Sequence, residues 1–453
     1  MMGTKVKRLH CPLEAQQFHW ENHLQGGNER MKKATTWLSV LTVFAMVATG
    51  CSNGGDAGGK TESASGGAGK GKKTEFLFWT PFSGADGPFM KEIVDKYNAS
   101  QDSYKINFVI QPNGEYYKQL DVALSTGKER PDLMIMHLDQ IPTYVSKGQL
   151  QEMDTLAGAA GINKTDYVEA AVNYATIEDK LYGIPLDIHP LVMYYNKDLL
   201  EAAGITSPPT NREEFDAAVE KVTNKDKGVY GYVVPTLWPQ QFIFPTLVWQ
   251  NGGELWNGTD VAYNSPEAVE MIQWLRGMVD KGVSPGNVQQ DGENTLFLQG
   301  KNAIQFNGPW MKSQFDEAGL NYGVAPVPQI GKAKQAVFGG SHNFAIPKDV
   351  KDEGIIAGIG DFLKYVSSNS LEWAESGQAL AAKPMIESAE FKALPQSAIA
   401  DSFSYVQFAP NVLNWPTISE PIWGELNNAL LGKKDAQKAM DDAAAKSKQA
   451  IGK

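Results

Sequence analysis

Between Thr74 and Met136 apolar runs of strand length alternate with amphipathic runs of helix length. That alternation narrows the chain to an α/β architecture with parallel strands. Thr74 to Thr80 (TEFLFWT) reads as a buried strand, closed by a loop holding Gly84, Asp86, Gly87 and Pro88. A helix is expected over 89–98, with Phe89, Ile93, Val94 and Tyr97 on one face. Ile106, Phe108 and Ile110 alternate along a second strand, 115–125 reads as helix, and 131–136 as a third strand. In sheets of this kind ligands gather beyond the carboxyl ends of the strands. Here those ends are 79–86 and 137–139.

A second α/β region begins near Leu186. Its clearest helix is expected over 212–222, with Thr210 as N-cap and Glu213 closing a capping box. Further helices are expected over 266–281, 352–368 and an Ala- and Lys-rich 433–451, and no internal repeat is present.

Upstream of Thr74 the chain is of a different kind. Met31 to Cys51 runs from Lys32 and Lys33 through an apolar core, Trp37 to Val47, into Ala48, Thr49, Gly50 and a cysteine. Basic start, short apolar run and small-residue exit are the layout of a secretory signal, too short to span a bilayer. The exit resembles the lipobox of bacterial lipoproteins, in which the cysteine is diacylated and becomes the mature N-terminus. Ala48 stands where that family usually has Leu. Lipidation of Cys51 is therefore expected, the alternative being an ordinary cleaved signal followed by a stray cysteine. Residues 1–30 carry His10, His19 and His23 and no apolar run, and read as an upstream extension from a start site assigned too early. Residues 51–73, rich in Gly, Ser and Lys, lack any large apolar side chain and read as a flexible linker.

Composition excludes several functions. The chain has net charge −11, and residues 1–50 hold six basic against three acidic residues, so their removal leaves a still more acidic protein. Such a chain is a poor partner for nucleic acid or polyanions. Beyond Cys51 there is no cysteine, so no disulfide is expected and the fold must rest on its packed core. No phosphate-binding G-x-x-x-x-G-K-[ST] loop occurs, and neither a cofactor nor a metal is expected.

Seven segments then appear in order: RPDLMIMHLD (130–139), LYGIPLD (181–187), YYNKDLLEAAGI (194–205), NGGEL (251–255), FLQGKNAIQFNGPW (297–310), YGVAPVP (322–328) and VFGGSHNFAIP (337–347). Together they resemble the extracellular solute-binding proteins, family 1, of sugar-type ABC transporters, the group that includes maltodextrin-binding protein. The resemblance implies a two-lobe periplasmic-binding-protein-like fold (type II) with a hinge between lobes. Lobe 1 would comprise 74–185 with 326–383, and lobe 2 would comprise 186–325 with 384–453. Crossings are expected near 184–186, 325–329 and 382–385, each beside proline (Pro185, Pro326, Pro328, Pro384). The implied partners are a carbohydrate, an ABC permease and, through Cys51, the outer face of the cell membrane; the protein itself is expected to be monomeric.

A pyranose offers flat C–H faces and a ring of hydroxyls, so its recognition needs aromatic platforms and polar side chains. By position in the family pattern, Trp310 is the first candidate platform, followed by Trp415, Trp423, Trp238 and Trp79. Trp274, with Ile272, Leu275 and Met278 as helical company, reads as core. Asp139 stands where relatives place a sugar-binding carboxylate, with His137 in the same loop. Asp187 and His189 follow the first crossing and are expected to face the cleft; maltodextrin-type relatives have a glutamate where this chain has His189, so the ligand does not carry over. Ser83 and Asp86 flank the first helix, and Gly340, Ser341 and His342 form a glycine turn that allows close backbone approach. Of Tyr116 and Tyr117, Tyr116 is expected to point into the cleft.

Two rivals remain. A glycan-cleaving enzyme would need paired carboxylates, for which Asp139 and Asp187 are candidates, yet no hydrolase motif accompanies them. A non-sugar solute on the same fold, such as a peptide or polyol, is the other.

Overall fold

The computed structural model describes residues 73–451. The signal segment, Cys51, the upstream extension and nearly all of the linker lie outside the described residues. Among the described residues no helix is long and apolar enough to cross a membrane.

The first sheet has the order 104–110, 74–80, 133–137, 342–345, 184–185. Its first three strands are parallel, as the alternation implied; strand 342–345 runs antiparallel to both its neighbours, so 184–185 points the same way as the first three. The helices Gly87–Ser100 and Asn113–Thr126 make the crossovers. The second sheet has the order 322–326, 192–196, 302–307, 230–232. These two sheets are the cores of two α/β lobes.

A third, small sheet joins them, in the order 379–380, 187–190, 337–340, 406–407. Strand 187–190 lies in the chain between the first-sheet strand 184–185 and the second-sheet strand 192–196. Strand 337–340 makes the return passage. The second crossing is thus later than 325–329. Backbone N–H groups of Gln329, Ile330 and Gly331 donate to Thr210 O and Gln250 Oε1, and Gln250 Nε2 donates to Ala336 O. One buried glutamine therefore ties 326–336 to the second lobe. The third crossing is also later than 382–385: Ala382 still pairs with Tyr167, and the chain packs on Tyr322–Pro326 only at Pro395–Ser404.

Local chemistry explains most helix boundaries. The helix Pro266–Lys281 starts with Ser265 accepting from the Ala268 N–H and ends at Gly282 in the left-handed region, φ 74°. The helix Arg212–Val222 is capped one residue later than expected. Asn211 accepts from the Glu214 N–H, while Thr210 donates both its N–H and its hydroxyl to Glu214 Oε2. The helix Gln240–Gln250 is buried on nearly every side, so it shows no polar stripe and gave no periodic signal. It underlies one wall of the site.

Candidate ligand-binding cleft

Between the lobes lies a cavity of about 610 Å³. Its aromatic wall comes from the second lobe. Strand 302–307 ends in Asn307-Gly308-Pro309-Trp310, a turn pinned by the Tyr194 hydroxyl, 3.1 Å from the carbonyls of both Gly308 and Pro309. The Trp310 ring folds back over Gly308 so closely that a Cβ there would lie 2.0 Å from it. Its ring centroid is 5.4 Å from Phe242 and 5.9 Å from Trp238, the two indoles tilted by only 32°. Trp415, Ser419, Ile422 and Trp423 line the cavity from one helix, Trp415–Leu430. Spacings of four, seven and eight put them on one face.

The polar floor comes from the joining sheet and the first lobe. Antiparallel pairing sets Gly340 opposite His189 and His342 opposite His137. The three histidines of the described residues thereby meet, with ring centroids 4.5 Å apart for His189 and His342 and 4.8 Å for His137 and His342. The Tyr117 hydroxyl accepts from the His137 N–H at 2.8 Å and lies 2.7 Å from its Nδ1. Burial first, then the neighbouring imidazoles, push His137 well below the ordinary histidine value; burial and His342 also hold His189 below it. Burial raises the Asp139 carboxyl to about 6 and pushes Asp86 upward, the latter partly countered by His342.

Of the expected residues, the cavity gathers Ser83, Asp86, His137, Asp139, His189, Trp238, Trp310, Gly340, Ser341, His342, Trp415 and Trp423. Three it does not. Trp79 is 7% exposed and packs in the first-lobe core, because the last three residues of strand 74–80 are buried rather than open to the cleft. Tyr116 is 0% exposed, its hydroxyl donating to Ile135 O at 2.7 Å; the neighbouring Tyr117, about 100° round the helix, is the one that reaches the floor. Asp187 is 0% exposed and lies beneath the lining, hydrogen-bonded to His189, His342 and Trp373. Sequence reasoning missed Gln241 and Phe242, hidden in the all-buried helix, and Tyr174, Gln378, Phe408 and Glu420. Trp238 was a pointer to the first two, one turn ahead of them.

Donor atoms of Asp187, His189 and His342 lie within 4.8 Å of one another, a spacing an ion could span. Burial alone would raise the Asp187 carboxyl, but attraction to His342 and His189 and their hydrogen bonds outweigh it and hold it well below the usual range. Four N–H groups already fill this carboxylate, so the cluster is a closed hydrogen-bonded knot.

The lobes also touch directly. The Asn414 N–H, at the start of the tryptophan-bearing helix, donates to Thr143 Oγ1 of the first lobe at 3.0 Å. That helix packs on Leu138–Gln140, beside Asp139.

Two α/β lobes, strands that pass between them, and an aromatic and polar cavity walled by both define a two-lobed binding protein. The model of the family "Bacterial extracellular solute-binding protein" matches residues 82–372, well over half of the chain. The protein belongs to this family. It is 25% identical over 396 residues to the galactooligosaccharide-binding protein of Bacillus subtilis, covering 84% of this chain and 90% of that one. It is 29% identical over 336 residues to the maltooligosaccharide ABC transporter solute-binding lipoprotein of Streptococcus pneumoniae, covering 71% and 76%. Among solved structures, an ABC substrate-binding protein from Listeria monocytogenes in complex with cycloalternan superposes with TM-score 0.73 at 23% identity, covering 84% of this chain and 99% of that one. The maltose-maltodextrin binding protein of Alicyclobacillus acidocaldarius superposes at 0.70 and 19% identity, covering 83% and 100%. These likenesses establish the two-lobe fold.

Proposed function

We propose that the protein captures a neutral carbohydrate, an oligosaccharide of a few residues, between its lobes and delivers it to the permease of an ABC importer. The observation that carries this reading is the cavity lining: eight aromatic side chains, Trp238, Phe242, Trp310, Trp415 and Trp423 among them, accompany a polar floor, and no Lys or Arg is among the lining residues. Aromatic faces suit pyranose C–H surfaces, and the imidazoles, glutamines and carboxylates suit hydroxyls. The absence of a cation from the lining disfavours uronates and phosphosugars. The relatives' names, galactooligosaccharide- and maltooligosaccharide-binding, support the same class of cargo. The glycosidase alternative loses the pair it would have used, because Asp187 is not on the cavity.

Closure on the sugar would be favoured because both lobes contact it only then, and the closed monomer would dock on the permease. Lipid on Cys51 would hold the protein outside the cell membrane, with residues 52–73 as leash. The test is thermal unfolding against a panel of neutral oligosaccharides, monosaccharides, polyols, uronates and short peptides. A ligand at 100 times its dissociation constant adds about 2.7 kcal/mol to stability. A shift with a neutral saccharide that is recovered intact is expected. A shift with peptides alone, or breakdown of the saccharide, would overturn the reading.

A further inference from the structure

Asp187 sits under the floor of the cleft and has no exposed surface, so it does not meet a ligand. Its Oδ1 accepts from the His342 backbone N–H at 2.9 Å and from His189 Nδ1 at 3.1 Å. Its Oδ2 accepts from His342 Nδ1 at 2.7 Å and from Trp373 Nε1 at 2.8 Å. An ionised carboxylate can only accept, so both imidazoles must carry their proton on Nδ1, and a neutral ring then has a bare lone pair on Nε2.

We propose that Asp187 is the positioning residue of this cleft: it fixes the protons of His189 and His342 on Nδ1 and presents their two Nε2 atoms to the ligand as hydrogen-bond acceptors. This deepens the oligosaccharide reading and rests on it. The floor so built selects a ligand with two neighbouring donors, such as adjacent hydroxyls of one sugar ring. The His189 lone pair is reachable because the residue opposite is glycine; a Cβ on Gly340 would lie 2.1 Å from that Nε2. The third ring is set differently. The Tyr117 hydroxyl accepts from the His137 backbone N–H and has its own proton to give to His137 Nδ1, which leaves His137 Nε2–H as a donor. The floor therefore reads acceptor, acceptor, donor, flanked by the carboxylates of Asp86 and Asp139.

The test is ¹⁵N NMR of the full chain labelled in its histidines, at pH 7, assigned by single His→Gln variants. His189 and His342 are expected to show a protonated Nδ1 and a lone-pair Nε2. In Asp187→Asn at least one of the two rings should move its proton to Nε2, while His137 stays unchanged. In parallel, binding of maltotetraose, mannotriose and galactotriose is measured by calorimetry. For any probe the native protein binds, Asp187→Asn should lose about tenfold or more, as when a hydrogen-bonding surface is mismatched to its partner. Gly340→Ala should lose a similar factor while His342 keeps its native NMR pattern, because a Cβ 2.1 Å from His189 Nε2 must push that ring out of place. Trp373→Phe should keep the pattern and lose no more than about threefold, since both imidazole bonds to Asp187 remain. Protonated Nε2 atoms on His189 and His342 in the native protein, or native affinity in Gly340→Ala, would overturn the inference. If Asp187→Asn does not fold, the native spectrum and the other two variants decide. The NMR arm needs no ligand: failure of every saccharide to bind overturns the oligosaccharide reading, and failure of the proton pattern overturns this inference alone.

Discussion

Adding one methyl group at Gly308 should cost the cleft its principal aromatic platform. The backbone there is extended, φ −84° and ψ 161°, so alanine fits the local conformation without strain. The obstacle is the Trp310 ring: the new Cβ would lie 2.0, 2.1 and 2.2 Å from its Cη2, Cζ2 and Cζ3. Carbon atoms in contact sit about 3.5–4.0 Å apart, so the indole must swing by about 1.5 Å or more. It cannot do so in place, because Phe242, Trp238 and His189 pack round it at 5.4, 5.9 and 5.8 Å between centroids. Loss of an aromatic anchor weakens binding by roughly 1–3 kcal/mol, a factor of about 5 to 150. We expect Gly308→Ala to fall in that range in calorimetry against the sugar that binds best, with a changed tryptophan emission. The sharper assay is the cycle with Trp310→Ala. If the methyl acts only by displacing the ring, it does nothing once the ring is gone, and the double variant should match Trp310→Ala alone. Additive losses, or native affinity in Gly308→Ala, would refute the reasoning.

Four further outcomes are expected. Thr143→Val removes the acceptor for the Asn414 N–H across the cleft, and should weaken ligand binding about 2- to 10-fold while leaving the thermal stability of the unliganded protein within a degree or two. Glu293 is buried, both its carboxylate oxygens lack a partner among the described residues, and burial raises it to about 7. Its folded value lies above its unfolded one, so it contributes stability that is full below about pH 4.5 and lost as the pH rises through 7. Glu293→Gln should therefore flatten the melting curve between pH 5 and 8, and an unchanged slope would count against the buried acid. His137 and His189 run the other way: their values are depressed on folding, so their contribution is present above about 6.5 and lost as the pH falls below it. Exchanging both for glutamine should reduce the acid sensitivity of melting. Finally, Cys51→Ser should abolish incorporation of labelled fatty acid; labelling that persists would remove the lipid anchor.

The sequence by itself determined the features that depend on neighbours along the chain. Strand and helix alternate through 74–137 because apolar spacing changes period there, and the Ser265, Pro266 and Gly282 signals bound a helix at both ends as local hydrogen bonding requires. The ordered motifs were enough to imply two lobes, and most of the lining residues lie within or beside those motifs. What the chain could not reveal is which face of an element meets what. Trp79 and Tyr116 were legible as aromatic and near the cleft, but packing of the first-lobe core turned both inward and left Tyr117 to hold His137. The late second crossing depends on the Gln250 side chain, dozens of residues away from the segment it ties. The meeting of His137, His189 and His342 is a matter of antiparallel register between distant segments, and one residue of slip would send each ring to the opposite face. Asp187 was read as a ligand contact because it follows the crossing. Only the tertiary structure put three side-chain N–H donors, from His189, His342 and Trp373, round it and closed it off from the cavity, since a buried carboxylate must gather hydrogen bonds wherever the fold supplies them.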